Sequence, residues 1–169
     1  MSSKPCNVLF LCTANSARSV LAEAILSHLG AGRFRAFSAG SQPSGMVNPH
    51  ALRLIAFKGL PTDGFRSKSW DEFAGSAAPV MDFIFTVCDN AAGEACPFWP
   101  GRPASAHWGI PDPAGVGYTD EEKLAAFEQA YGRLHRRIAA FVALPIESMP
   151  PQALKAALES IGQDTSVGA

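Results

Sequence analysis

Apolar residues cluster along the chain in two alternating rhythms, short unbroken runs and longer stripes at helical spacing. Val8, Leu9, Phe10 and Leu11 form the first run and predict a strand buried on both faces. Val20, Leu21, Ala24, Ile25 and Leu29 follow at helical spacing. Residues 33–38 predict a second strand, and Asn48-Pro49 opens a helix with Leu52, Ile55 and Ala56 that Gly59 stops. Phe83, Ile84, Phe85 and Val87 make a third strand, and residues 104–108 a fourth. Ser69-Trp70-Asp71-Glu72 reads as a capping box for a short helix. Thr119-Asp120-Glu121-Glu122 reads as a second box, opening a long helix with Leu124, Phe127, Tyr131, Leu134, Ile138 and Phe141 on its apolar side. Lys123, Arg133, Arg136 and Arg137 would form the solvated face of that helix, which ends near Pro145. Strands alternating with helices predict an α/β fold, three-layer α/β/α around a four-stranded parallel sheet. Residues 1–145 would form the main domain. Residues 146–169 would form a C-terminal extension, with a helix carrying Leu154, Leu158 and Ile161 and a frayed tail from Gly162.

The candidate chemistry sits where the first strand meets the first helix, in Cys12-Thr13-Ala14-Asn15-Ser16-Ala17-Arg18-Ser19. A strand-to-helix loop can turn backbone N–H groups inward, and the helix N-terminus adds partial positive charge, so an anion is favoured there. Thr13, Ala14, Asn15, Ser16, Ala17, Arg18 and Ser19 are the candidate oxyanion-binding residues, with the Arg18 fork able to hold two oxygens at once. A free thiol of pKa ~8.5 is only about 3% ionised at neutral pH, and the same field is expected to hold Cys12 as a thiolate. Ser19 is placed to donate to that sulfur, and Asn15 tolerates a left-handed backbone.

Composition changes this picture little. The 169 residues suit one core, and the formal net charge of −1 recommends neither a nucleic-acid nor a membrane surface. No basic start with a long apolar centre and no apolar run near ~20 residues is present, so a soluble, cytoplasmic protein is expected. Four cysteines in such a chain read as thiols rather than a disulfide framework, and Cys6 matches no motif. Cys88 ends the third strand and, in a parallel sheet, should emerge on the edge that bears Cys12. Taken alone, Cys88 and Cys96 could be buried thiols, half of a zinc site or a redox pair. No C-x2-C or H-x3-H pattern accompanies them, and no metal site is expected.

The loop resembles the active-site loop of the low-molecular-weight protein tyrosine phosphatase superfamily, which includes thiol-dependent arsenate reductases. Asp112-Pro113, the Cys88/Cys96 pair and Ser38-Ala39-Gly40 extend the resemblance over residues 7 to about 145. It implies Cys12 as nucleophile, Arg18 as anion ligand, Asp112 as general acid and Cys88 and Cys96 as a disulfide relay. The substrate implied is arsenate, with phosphate or sulfate as analogues, and arsenic detoxification is the role. The reductant implied is thioredoxin, or glutathione with glutaredoxin; no metal or organic cofactor is required. Some relatives hold a monovalent cation on residues matching Asn15, Glu23 and Ser38 with an Asp further on; Trp70 stands at that last position, and no ion is expected here.

Departures from the pattern favour the reductase branch. Ala17 stands where the phosphatases usually carry a second cysteine, Val20 where they tend to have proline, and Ala114-Gly115 where aromatics follow the Asp-Pro. Ala14 replaces a frequent glycine, and the gap between the two relay cysteines is one residue longer than in several reductases. Two other readings fit the same loop: a phosphatase hydrolysing aryl phosphates through a Cys12 phosphoenzyme, and a non-catalytic oxyanion-binding module.

Overall fold

A strand buried on both faces must lie inside a sheet, and β1 (Cys6–Cys12) occupies an inner position in a four-stranded parallel sheet of order β2-β1-β3-β4. The computed structural model describes residues 5–75, 77–88 and 103–164 of the chain. β2 is Phe34–Gly40, β3 is Phe83–Thr86 and β4 is Ala104–His107, so the second strand is shifted toward the loop and the fourth stops one residue early. The shift follows from pairing: Cys12 is in register with Gly40, and Leu9 lies between Phe37 and Ile84.

Val8 and Phe10 face a large core built with α1 (Arg18–Leu29), α2 (Pro49–Phe57) and α3 (Asp120–Val142). Leu9 and Leu11 face a smaller core of Ala39, Trp70, Phe73, Met81 and Ile84. Helices therefore cover one face, while a single 3-10 turn (Trp70–Phe73) closes the other among the described residues. The chain leaves β1 for β2 on one side and later places β3 on the other. A crevice consequently opens at the carboxyl end of β1, where Cys12 sits.

Local signals explain the element starts. Asn48 caps α2 by accepting from the His50 N–H at 2.8 Å, with Pro49 at the first helical position. Thr119 and Glu122 exchange both bonds of a capping box at 3.1 and 3.2 Å. Ser69 also caps, accepting from the Asp71 N–H, but no box forms: Glu72 turns instead to Arg66, at 2.6 Å. Two expectations about the C-terminal third are corrected. Gly162 belongs to α4 (Pro151–Gln163) rather than to a frayed tail, and Arg137 is buried at 3% exposure rather than solvated. Among the described residues, no helix is long and apolar enough to cross a membrane.

Candidate active site

The loop between β1 and α1 is held from outside by its carbonyls. Cys12 O accepts from Ser41 N at 3.2 Å, Thr13 O from Gln42 N at 2.9 Å, Ala14 O from Ser44 N at 3.1 Å and Ser16 O from Asn48 N at 2.9 Å. The Ser67 hydroxyl adds a second bond to Ala14 O at 2.8 Å. In a trans peptide the next N–H points opposite to the carbonyl, so outward carbonyls turn the N–H groups of Thr13, Ala14, Asn15 and Ala17 toward the concave side. The Asn15 N–H demonstrates the geometry by reaching Cys12 Sγ at 3.2 Å. No side chain caps α1, so its first-turn N–H groups add to the same anion-binding surface.

Asn15 is the keystone of this loop. It is fully buried and left-handed, with φ of 49°, the only such non-glycine residue described. Its Oδ1 accepts from the Lys68 N–H at 3.0 Å, which orients the amide so that Nδ2 donates to Ser19 Oγ at 2.8 Å and Ser38 Oγ at 3.0 Å. The Ser38 hydroxyl in turn donates to Glu23 Oε1 at 2.6 Å. Ser19, already accepting from Asn15, has its hydroxyl proton free for Cys12 Sγ at 2.9 Å. Gly40 lies directly beneath: a Cβ there would collide with the Thr13 carbonyl oxygen and lie 3.0 Å from the Asn15 nitrogen.

Opposing influences act on the Cys12 sulfur. Burial pushes the Cys12 thiol above its ordinary value, and the neighbouring Cys88 pushes the same way. Hydrogen bonds from the Ser19 hydroxyl and backbone and from the Asn15 N–H pull it down without reversing the direction. The loop thus lowers the penalty that burial places on the thiolate. Burial also raises the Glu23 carboxyl and lowers the Lys68 ammonium, and each group draws the other back toward its charged form. Glu23, Ser38 and Asn15 do come together, and the Lys68 and Arg66 side chains both draw Glu23 toward its charged form. Among the described residues, no group of three His, Cys, Asp or Glu side chains is placed to hold a metal ion.

The remaining residues arrive from β3 and from the segment after β4. Val87 N donates to Leu11 O at 2.8 Å, which carries the end of β3 alongside the loop. Cys88, buried, lies 3.5 Å from the Thr13 hydroxyl through its sulfur, on the same sheet edge as Cys12. Arg18 donates from Nη1 to the Ile110 carbonyl at 3.0 Å, and its Nη2 lies 3.6 Å from Asp112 Oδ2. Asp112 is half exposed, and its Oδ1 accepts from the Ala114 N–H at 2.9 Å. Cys12, Arg18, Asp112 and Cys88 therefore share one crevice; Cys96 lies outside the described residues. The sequence reading missed Ser67, Lys68 and the Ile110 carbonyl, because each acts on the loop through long-range backbone contacts that no local spacing encodes.

Comparison with known proteins agrees with this geometry. The family model described as low molecular weight phosphotyrosine protein phosphatase matches residues 7–157. The arsenate reductase of Halalkalibacterium halodurans is 34% identical over 134 residues, covering 79% of this chain and 93% of its own length. That of Bacillus licheniformis is 35% identical over 142 residues, covering 83% and 96%. The crystal structure of an arsenate reductase from Archaeoglobus fulgidus superposes with a TM-score of 0.63 at 30% identity, over 81% of this chain and 99% of its own.

Proposed function

Because the chain belongs to the low molecular weight phosphotyrosine protein phosphatase family, we propose that it uses this fold as an arsenate reductase, with Cys12 as nucleophile and Cys88 and Cys96 as electron relay. The observation that carries the reading is the second sulfur. Hydrolysis of a phosphoenzyme needs one cysteine and water, yet here Cys88 is seated beside Thr13 at the mouth of the anion loop. The relatives named as arsenate reductases support the same substrate.

The chemistry follows from the residues. A dianionic oxyanion entering the loop is a base close to the buried Cys12 thiol and takes its proton, which removes the need for a pre-formed thiolate. The inward N–H groups and the Arg18 fork hold the oxygens as charge develops on them. The Cys12 thiolate forms a bond to arsenic while one arsenic–oxygen bond breaks, and protonated Asp112 delivers its proton so that the oxygen leaves as water. Cys88, as thiolate, then attacks Cys12 Sγ. A disulfide forms, the sulfur–arsenic electron pair passes to arsenic, and As(V) leaves as arsenite with protons from solvent. Cys96 attacks Cys88 in turn, freeing Cys12 and moving the disulfide to a position from which an external dithiol reduces it. Thioredoxin, or glutathione with glutaredoxin, is the reductant class, and the cytoplasm is the compartment that supplies it.

The deciding experiment measures arsenite formed from arsenate by purified protein with each reductant system, comparing wild type with the Cys12→Ser, Cys88→Ser and Cys96→Ser variants. Arsenite release that stops with Cys12→Ser and Cys88→Ser, and a disulfide between residues 88 and 96 after one turnover of wild type, is the expected result. Wild-type rates from Cys88→Ser, or aryl phosphate turnover without arsenite formation, would refute the relay.

A further inference from the structure

Arg137 is a buried cation that the reaction above does not use. It projects from α3, yet its donors end on backbone of two other segments. Nη1 donates to the Trp108 carbonyl at 2.6 Å and to the Gly109 carbonyl at 3.1 Å. Nε and Nη2 both donate to the Asp164 carbonyl, at 3.2 and 3.0 Å. Burying a guanidinium is unfavourable unless its donors are met, and an apolar side chain of similar size would fill the space without that cost. What arginine adds is a rigid fork that ties three segments at once.

Further contacts converge on the same place. The Trp108 indole is fully buried, stacks on Phe85 with centroids 3.7 Å apart, and donates through Nε1 to the Leu158 carbonyl at 2.9 Å. Gly162 lets the last turn of α4 approach closely, since a Cβ there would lie 2.5 Å from the His107 carbonyl oxygen and 2.7 Å from the Trp108 ring. Beyond this anchor the chain runs directly into the site. Ile110 donates to Val87 O at 3.2 Å and accepts from Arg18 at 3.0 Å. Ile110 and Pro111 alone separate Gly109 from Asp112, and proline restricts the backbone of that short arm.

We propose that Arg137, together with the Leu158–Asp164 end of α4, is a positioning device for Asp112, clamping the Trp108–Gly109 backbone so that the carboxyl is presented over the Cys12 loop. The proposal rests on Asp112 being the general acid. Arg137 touches no reacting atom; it acts through the backbone. The C-terminal helix, which also packs Leu154, Leu158 and Ile161 on the core, thereby becomes part of the catalytic scaffold.

The test is the single-turnover rate of arsenite release from reduced full-length protein at saturating arsenate, with the half-saturating arsenate concentration read separately. Arg137→Met, Arg137→Lys, Asp112→Asn and the Arg137→Met/Asp112→Asn double variant are compared, alongside the rate of Cys12 alkylation and its protection by phosphate. The expected result is a fall in rate of about tenfold or more for Arg137→Met, as misplacement of a catalytic group produces. Half-saturation and Cys12 alkylation should stay within about twofold of wild type, and Arg137→Lys should restore part of the rate. In the Asp112→Asn background, Arg137→Met should cost nothing more, since both changes act on one group. An undiminished rate in Arg137→Met while Asp112→Asn is slow overturns the clamp and leaves the acid assignment standing. Multiplying losses in the double variant also overturn it. An undiminished rate in Asp112→Asn removes the acid assignment and the proposal with it. Should Arg137→Met not fold, Gly162→Val, which pushes the last turn of α4 off Trp108 while keeping Arg137, must show the same loss and the same non-additivity.

Discussion

Replacing Asn15 separates the backbone and side-chain parts of the loop's stability. The side chain makes three buried hydrogen bonds, to Ser19, Ser38 and the Lys68 N–H. At about 1 kcal/mol each, their loss costs about 3 kcal/mol. Alanine must also adopt the left-handed backbone of φ 49°, for roughly a further 1 kcal/mol, whereas glycine enters that region freely. Asn15→Ala should therefore be destabilised by about 4 kcal/mol and Asn15→Gly by about 3 kcal/mol, a large share of a total of ~5–15 kcal/mol. Urea unfolding monitored by circular dichroism reads both values, and each kcal/mol corresponds to a fall of roughly 2–4 °C in Tm for a chain of this size. Asn15→Asp keeps the acceptor for Lys68 N–H but loses the amide donors and places a negative charge beside Cys12. It should slow Cys12 alkylation at pH 8 well beyond any change in stability. If Asn15→Ala unfolds within about 1 kcal/mol of wild type, the network does not hold the loop and the keystone argument is wrong.

Three other outcomes follow from the same contacts. Glu23 has its carboxyl raised by burial, so its contribution to stability is full below the ordinary glutamate range and is lost as pH rises through the raised value. Glu23→Gln, which can still accept from Ser38, should gain in Tm relative to wild type as pH climbs from about 4.5 toward neutrality; parallel Tm curves would contradict this. Ser19→Ala removes a bond that lowers the Cys12 thiol, so the pH midpoint of Cys12 alkylation should move upward, and an unmoved midpoint would assign the bond no role. Gly40→Ala sets a methyl group against the Thr13 carbonyl and the Asn15 nitrogen and should cost about 1–3 kcal/mol with weakened phosphate protection of Cys12, measured by calorimetry and alkylation. A wild-type melting curve would show that the loop has room there.

Much of the fold is legible because its signals are local. The Val8–Leu11 run, the proline-led start of α2 and the Thr119/Glu122 box act over a few residues, and each formed as read. The anion loop is legible for the same reason, since Cys12, Arg18 and Ser19 sit on one turn of chain. Arg137 shows the limit. Its helical position marks it as solvated, and only the approach of Trp108, Gly109 and Asp164, all far away in sequence, turns it inward. The ionisation of Cys12 shows the limit in another way: a positive loop argues for a thiolate, but the depth of burial that opposes it is a property of the packed core.

Sequence alone determined the order of elements, the parallel sheet, the place of the Cys12 loop between the first strand and first helix, and the presence of further thiols, since periodicity and spacing encode them within short stretches. Tertiary structure decided which long-range partners hold the loop, that Cys88 stands beside it, that Lys68 draws Glu23 toward its charged form, and that the C-terminal helix grips the segment bearing Asp112. Those contacts join residues far apart in the chain, and their strength depends on burial and mutual orientation that exist only once the core has closed.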